Sequence, residues 1–442
     1  MKRILIFFLS ALFLVSGCAS FTGNIKSGIL SYNNKPKKGE TIYPWFVSGL
    51  NKHEAPHGVS INAGYSKIKI TPLNRVYLAG FYPVRTSSSV HDDLWAKCLV
   101  LEDMHHEYVV IVTTDLIGLL PDTINSIRKK IKPFVNPEKV FLTSTHTHSG
   151  PDTMGLWGEG LLFPSLSDGK DKKYMMMLEN KIAGVIKSAM KNRTRAKLRF
   201  ANGVSPGLAV GRKNNLPDET ITTLQVIFDN LPLGGSVSLV NFSMHPDAVY
   251  SRYVTADFVY FLTQKLEAST GGQVMYINGA IGGVQPSILG WMGAEKLGEN
   301  LASNIFKTFE KYTIPASSTI TSKRIFIKVP LKNTLFRIAH VLGMIPDFRD
   351  EFGNVDVELN YINICGAKVL TVPGELFPSI WERLKNRIPG NTKMLWGLTN
   401  GELGYILSRY DFESGDHSYH ASVSVGPDMG ERTEDALLEI IK

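Results

Sequence analysis

Apolar positions change their period several times along the chain, and each change marks an element. Lys67–Thr71, Trp95–Leu101, Tyr108–Thr114 and Lys139–Ser144 are short β-rich runs. Three of them are almost continuously apolar, which predicts strands covered on both faces. Thr123–Ile131 reads as a helix between the third and fourth. In Asp171–Met190, the residues Tyr174, Leu178, Ile182, Val185 and Ala189 recur at helical spacing, predicting a helix with one face on a sheet. Strands return at Ile221–Phe228, Ser236–Phe242 and Val274–Asn278, with helices at Asp257–Ala268 and Ala294–Tyr312. Strands at Thr319–Val329 and Val369–Val372 precede a helix at Glu375–Ile388. With no internal repeat or low-complexity tract, the expected fold class is α/β: mixed β-sheets flanked by helices, in a single large domain over residues 58–442.

The N-terminal pattern is different. Lys2-Arg3 precedes an apolar stretch, Ile4 to Val15, broken only by Ser10. Twelve residues fall short of the ~20 needed to span a bilayer as a helix. The stretch ends in Val15-Ser16-Gly17-Cys18, which resembles a bacterial lipobox. Residues 1–17 are therefore expected to be a lipoprotein signal peptide, with Cys18 lipidated and residues 18–57 a tether rich in Gly, Asn, Pro and Lys. This predicts a lipid-anchored protein of the bacterial cell envelope. Ala19, in place of the Asp that often signals inner-membrane retention, points to the outer membrane.

Composition adds exclusions. Of 442 residues, 43% are hydrophobic and 20% charged, which rules out both a disordered chain and a polytopic membrane protein. The net charge is +8, but no dense Lys/Arg run interleaves with aromatics, so no nucleic-acid partner is expected. Cys98 and Cys365 lie in apolar strand-like runs, Lys97–Leu101 and Tyr361–Leu370, and are expected to be buried small hydrophobes. That leaves neither a disulfide framework nor a cysteine-rich zinc site. The apolar residues of Lys332–Ile345 fit a core-facing helix or, less commonly, an amphipathic segment at a lipid entrance.

The candidate chemistry gathers at strand ends. Thr145-His146-Thr147-His148-Ser149-Gly150-Pro151-Asp152 follows the strand Lys139–Ser144 directly. Positions i and i+2 of a strand share a face, so His146 and His148 are expected to project together, as a metal or proton-transfer site requires. The strand Ser236–Phe242 ends similarly in Ser243-Met244-His245-Pro246-Asp247. Leu370-Thr371-Val372-Pro373-Gly374-Glu375 is an apolar strand, a turn, then a carboxylate opening a helix. Gly279-Ala280-Ile281-Gly282-Gly283-Val284-Gln285-Pro286 is a loop that lets backbone approach a ligand. It is no P-loop, because no Gly-Lys-Ser/Thr follows.

The order of these motifs resembles the neutral/alkaline (non-lysosomal) ceramidases in their N-terminal catalytic domain, from Asn62 to the C-terminus. The resemblance runs through Ala63-Gly64, Ile70-Thr71-Pro72, Ala79-Gly80-Phe81, His91-Asp92-Asp93-Leu94 and Thr114-Asp115-Leu116. It continues through Thr145–Pro151, Asn241–Pro246, Val372–Glu375 and Gly397-Leu398-Thr399-Asn400 with Gly404-Tyr405. It implies a zinc-dependent amide hydrolase acting on an N-acyl (sphingo)lipid or related N-acyl amide. His146, His245, Glu375 and Tyr405 would be the Zn²⁺ ligands, a combination of imidazole, carboxylate and phenol oxygen suited to that ion. His148 and Tyr405 would be catalytic and Arg212 would contact substrate.

Three departures accompany it. The family's Gly-Asp-Val-Ser-Pro loop is Gly282-Gly283-Val284-Gln285-Pro286 here, Tyr419-His420 replaces Tyr-Glu, and the chain is expected to lack the C-terminal immunoglobulin-like domain. Gly283 and Gln285 thus imply an altered substrate-binding loop beside an intact metal set. A metal-dependent ester or phosphoester hydrolase, and a catalytically silent lipid- or glycan-binding lipoprotein of the same fold, are the alternatives.

Overall fold

A computed structural model describes residues 57–159, 168–213, 215–229, 235–341 and 349–442. The signal peptide, Cys18 and the tether up to residue 56 lie outside the described residues, as does the stretch 342–348. Eight strands make the main sheet: β1 (Val59–Lys69), β2 (Trp95–Glu102), β3 (Tyr108–Thr114), β4 (Val140–Ser144), β5 (Thr194–Val204), β6 (Thr220–Phe228), β7 (Ser236–Phe242) and β8 (Gln273–Asn278). Their order is β8-β7-β6-β5-β1-β2-β3-β4, parallel only at β7–β8 and β3–β4 and antiparallel elsewhere. A second sheet holds β9 (Ile320–Pro330), β10 (Asn354–Ile364), β11 (Ala367–Thr371) and β12 (Lys393–Trp396) in that order.

The burial pattern explains the layering. Every residue of β4 and β7 is buried, as continuous apolar runs require, because both faces of the main sheet are covered. One face packs on helices α1 (Pro121–Ile131), α2 (Lys172–Lys191), α3 (Phe258–Thr270) and α4 (Trp291–Thr308) through residues such as Val112, Leu178, Leu262 and Leu301. The other face meets the second sheet, where Leu99, Ile111 and Leu239 share a core with Ile362, Val369 and Trp396. The far side of the second sheet carries α6 (Pro378–Lys385) and α7 (Met429–Ile441) through Trp381, Leu384 and Leu437; α5 (Thr334–Val341) precedes both in sequence, between β9 and β10. The result is a helix–sheet–sheet–helix stack. No helix among the described residues is long and apolar enough to cross a membrane.

Several sequence expectations need correction. The first strand is Val59–Lys69, not Lys67–Thr71; it reaches back to pair with Thr194–Leu198 of β5. Strand β5 itself was not predicted, since Asn202-Gly203 has the composition of a turn yet continues the ladder opposite Thr222 and Ile221. Nor was β12. Tyr361–Leu370 is a hairpin, not one run: Cys365 (φ 52°) and Gly366 (φ 103°) turn the chain between β10 and β11. Cys98 and Cys365 are both buried free thiols, as expected.

The predicted helix Glu375–Ile388 also divides. Glu375–Leu376 is a two-residue strand and α6 begins at Pro378. Proline suits the first helical position but forces the preceding residue, Phe377, into extended backbone (ψ 137°), so Glu375 cannot belong to the helix. Glu375 instead pairs in parallel register with Tyr405. Of the apolar segment, Phe336 of α5 packs on the core of the second sheet while Val341 is 80% exposed.

Candidate active site

Every strand that supplies a candidate ligand ends on the same side of the stack, and hydrogen bonds stitch those ends together. Nδ2 of the Asn278 side chain donates to the Thr145 carbonyl at 2.6 Å, and the Gly397 backbone amide donates to the Asn278 carbonyl at 3.0 Å. The Leu398 amide donates to Gly374, and the His148 amide to Pro246, which ties the first histidine loop to the second. The main sheet thus delivers His146, His148 and His245, and a separate two-stranded ladder, which follows strands of the second sheet in sequence, delivers Glu375 and Tyr405.

The two histidines of the Thr145–His148 loop do converge, with ring centroids 5.0 Å apart, but strand alternation is not the reason. Strand β4 stops at Ser144, and His146 adopts φ 68°, a left-handed conformation that a non-glycine residue keeps only when its surroundings enforce it. The enforcing contacts are visible: the His146 amide donates to the Leu116 carbonyl and Nδ1 donates to the Ile117 carbonyl at 2.5 Å. That second bond fixes the tautomer and leaves Nε2 as a lone-pair donor. His148 is held from behind. Gly80 (φ 93°) lies so close that a β-carbon there would sit 2.3 Å from the His148 ring, and Phe81 meets the ring edge-on at 4.9 Å. The Arg85 guanidinium, itself buried, donates to the carbonyls of Ala79, His148 and Ser251 and so clamps the loop by its backbone.

One ligand atom from each of His146, His148 and His245 lies within 4.8 Å of the others, and the group can hold a metal ion. His148 and His245 face each other, Nε2 to Nε2, at 3.0 Å. Glu375 adds Oε1 at 3.5 Å from Nε2 of His146 and Oε2 at 3.6 Å from Nδ1 of His245. All four residues are largely buried, and burial sets their charge. It lowers His146 to about 4 and His148 and His245 well below the ordinary imidazole range, with neighbouring histidines and Arg212 adding to the last two. Burial, then the charge of Glu402, pushes the Glu375 carboxyl well up, opposed by the Tyr405 hydroxyl. The cluster is therefore not a set of ordinary ion pairs but neutral imidazoles around a carboxyl that needs a positive neighbour to ionise. Nδ1 of His148, Nδ1 of His245 and Oε2 of Glu375 have no hydrogen-bond partner among the described residues. Unpaired buried donors of this kind fit a resident cation.

The structure brings the remaining predicted residues to the same place. Tyr405 is buried beside Glu375, with its amide bonded to the Val423 carbonyl. The Arg212 amide donates to the Gly283 carbonyl at 2.8 Å, and Nε donates to Oε1 of Gln285 at 3.1 Å, so these three form one wall. Sequence reasoning missed two carboxyls. Asp247 is half-buried, with Oδ1 enclosed and unpartnered among the described residues, and is raised to about 8 by burial and then by Asp257. Glu402 accepts the Gly404 amide through Oε1, leaves Oε2 unpartnered, and is pushed well up by burial. Asp247 stands two residues after His245, a usable signal; Glu402 is a lone acid in a Gly-rich turn, which carries none.

No family model matches the chain, and no curated protein matches it in sequence. Among solved structures, it is similar to the neutral ceramidase from Pseudomonas aeruginosa at TM-score 0.71 and 14% identity, over 87% of this chain and 74% of that one. A structure described as a ceramidase complexed with C2 matches at TM-score 0.71 and 15% identity, over 86% of this chain and 74% of that one. The protein therefore has the fold of those structures.

Proposed function

We propose that the protein belongs to the neutral ceramidase type and is a zinc-dependent hydrolase of an amide C–N bond in an N-acyl lipid or related N-acyl amide. The observation that carries this reading is the buried convergence of His146, His148 and His245 with Glu375 against two of them, on a ceramidase fold. His146, His245, Glu375 and Tyr405 would hold the ion, an N₂O₂ donor set suited to Zn²⁺. Zn²⁺ bound there supplies Lewis acidity, polarising a carbonyl and bringing the pKa of water toward neutrality.

The chain's own residues do the rest. His148, kept neutral by burial, takes the proton released as water adds to the acyl carbon and returns it to the departing nitrogen. The C–N bond breaks as that nitrogen is protonated, and the acid's remaining proton passes to the amine, so a carboxylate and an ammonium leave. The phenol of Tyr405 stands beside the same carbonyl position as a further hydrogen-bond donor. Arg212 and Gln285 hold the amine-side portion of the substrate.

The test is a hydrolysis screen over N-acyl amines, N-acyl amino acids and ceramide, with and without a chelator. Turnover of at least one amide that chelation abolishes and Zn²⁺ restores is the expected result. Stoichiometric zinc with no turnover on any amide, or turnover indifferent to chelation, would overturn the reading.

We also propose that Cys18 is acylated and holds the protein at a bacterial envelope membrane, on the strength of the lipobox alone. Membrane fractionation of cells making Cys18→Ala should release the protein; a variant processed and retained like the wild type would refute the anchor.

A further inference from the structure

We propose that a cavity lined by β1, β2 and α3, apart from the metal cluster, binds a small zwitterion, an α-amino acid, with its carboxylate on Lys97 and its ammonium on Glu267. The inference concerns a second site and does not rest on the hydrolase reading.

The cavity has a volume of about 390 Å³, within the range of small-molecule sites. Lys67 of β1, Trp95 and Lys97 of β2, Asp115, and Tyr260 and Glu267 of α3 line it; none of the proposed metal ligands does. Lys97 is the unusual member. It is only 6% exposed, yet its Nζ makes a single hydrogen bond, to the Val274 carbonyl at 2.8 Å. Among the described residues no carboxylate comes within 4 Å of it, so two of its three N–H groups lack an acceptor. Lysine at that depth is almost always paired. Burial lowers its pKa, and the charges of Asp115 and Glu267 oppose the shift from beyond ion-pair distance. Glu267 is fastened to the same residue as Lys97. Its Oε1 accepts the Val274 amide at 3.1 Å, and its Oε2 has no partner among the described residues. The Val274 backbone thus holds an ammonium by its carbonyl and a carboxylate by its amide, and the two charges do not close on each other.

The other charged groups on the walls are engaged elsewhere. Asp92 accepts the Ala256 amide at 2.8 Å and Nδ1 of His91 at 2.8 Å. Asp93 accepts the Thr71 hydroxyl and pairs with Lys69 at 2.6 Å, and Asp115 accepts the Trp95 amide through Oδ2. Lys67, over the Trp95 ring at 5.0 Å, is exposed and solvated, so it sets no requirement. That leaves Lys97 and Glu267. A ligand of one sign would gain at one of them and be repelled at the other. An α-amino acid carries both signs on one carbon, compensates both groups, and supplies the hydrogen bonds that each lacks. The rings of Trp95 and Tyr260 offer its side chain an apolar wall.

The experiment is titration calorimetry of the purified protein, with chelator present so that no acyl compound turns over. The probes are glycine, L-leucine and L-phenylalanine, each beside its amide, which lacks the carboxylate, and its N-acetyl derivative, which lacks the ammonium. At least one amino acid is expected to bind with a Kd of about 1 mM or tighter, and both of its derivatives at least about tenfold more weakly. Glu267→Gln keeps an acceptor for the Val274 amide while removing the charge, and should weaken binding about tenfold or more. Lys97→Met should do the same; if that variant does not fold, Glu267→Gln decides alone. His146→Ala, in the metal cluster, should leave the Kd within about threefold. No binding by any of the three, meaning a cavity that holds water only, would overturn the proposal. So would equal binding of the derivatives, or binding unmoved by Glu267→Gln. Loss in His146→Ala with retention in Glu267→Gln would put the amino acid at the metal centre and refute the second site.

Discussion

Replacing His146 with Ala is expected to strip the metal and lower kcat/KM by at least about a thousandfold, roughly 4 kcal/mol of transition-state stabilisation. His146 has its tautomer fixed by a backbone acceptor, the Ile117 carbonyl, and its free nitrogen faces Glu375. Removing it deletes a ligand and leaves the Glu375 carboxyl without the neighbour that helps to orient it. His245→Ala should behave alike. His148→Ala should differ: metal content stays near one equivalent while turnover falls by about a hundredfold, the usual worth of a positioned proton-transfer group. Elemental analysis of the three purified variants, alongside kcat/KM, separates these outcomes. Metal lost from His148→Ala and kept by His146→Ala would exchange their roles, a real alternative given that all three imidazoles fall within 4.8 Å.

Asn400→Ala is expected to cost about 3–5 kcal/mol of stability although Asn400 touches no ligand residue. Its backbone sits at φ 61°, which asparagine tolerates and alanine does not. Its amide donates to the Leu142 carbonyl at 2.7 Å, and its Oδ1 accepts the Leu142 amide at 2.9 Å, so it caps β4 in both directions. Its Nδ2 donates to Oε1 of Glu358, the buried acid that Arg128 grips. The substitution strands a buried amide, removes a donor from a buried carboxylate and strains the backbone, and these costs add because they fall on different groups. Asn400→Gly removes the strain and should recover about 1 kcal/mol of the loss. Thermal unfolding compares the variants, and faster hydrogen exchange at the Leu142 amide locates the effect. An Ala variant within about 1 kcal/mol of wild type would contradict this account.

Legibility from sequence followed the range of the forces involved. The strands β2, β3, β4 and β7 are buried apolar runs, and periodicity alone shows them. His146, His148 and His245 were visible because each lies within four residues of a strand end, where side chains project into solvent-facing crevices. The left-handed turn at His146 was not visible, because it is imposed by carbonyls at positions 116 and 117 in the loop that follows β3. Glu375 was placed on a helix because an acid before a helical run is usually there for the dipole. Its true neighbour, Tyr405, is thirty residues away in sequence, and only assembly of the two-stranded ladder reveals it. Glu402 is similar: a single polar residue in a short loop, given meaning by what folds against it.

The stitching of strand ends across two sheets bears on how the molecule is made. The donor residues span positions 146 to 405, and the elements carrying them meet only through long-range pairings such as Gly397 with Asn278 and Asn278 with Thr145. Each such pairing closes a large loop, so chain entropy opposes it until both sheets have formed. The pocket must then be among the last regions to assemble, and no fragment ending before Tyr405 can complete it. During synthesis, the half-built sheets would present unsatisfied strand ends, and a cation captured at the finish would act as a clasp on the seam. Unfolding should run in reverse order, opening at this seam first, with ion release as its earliest signal.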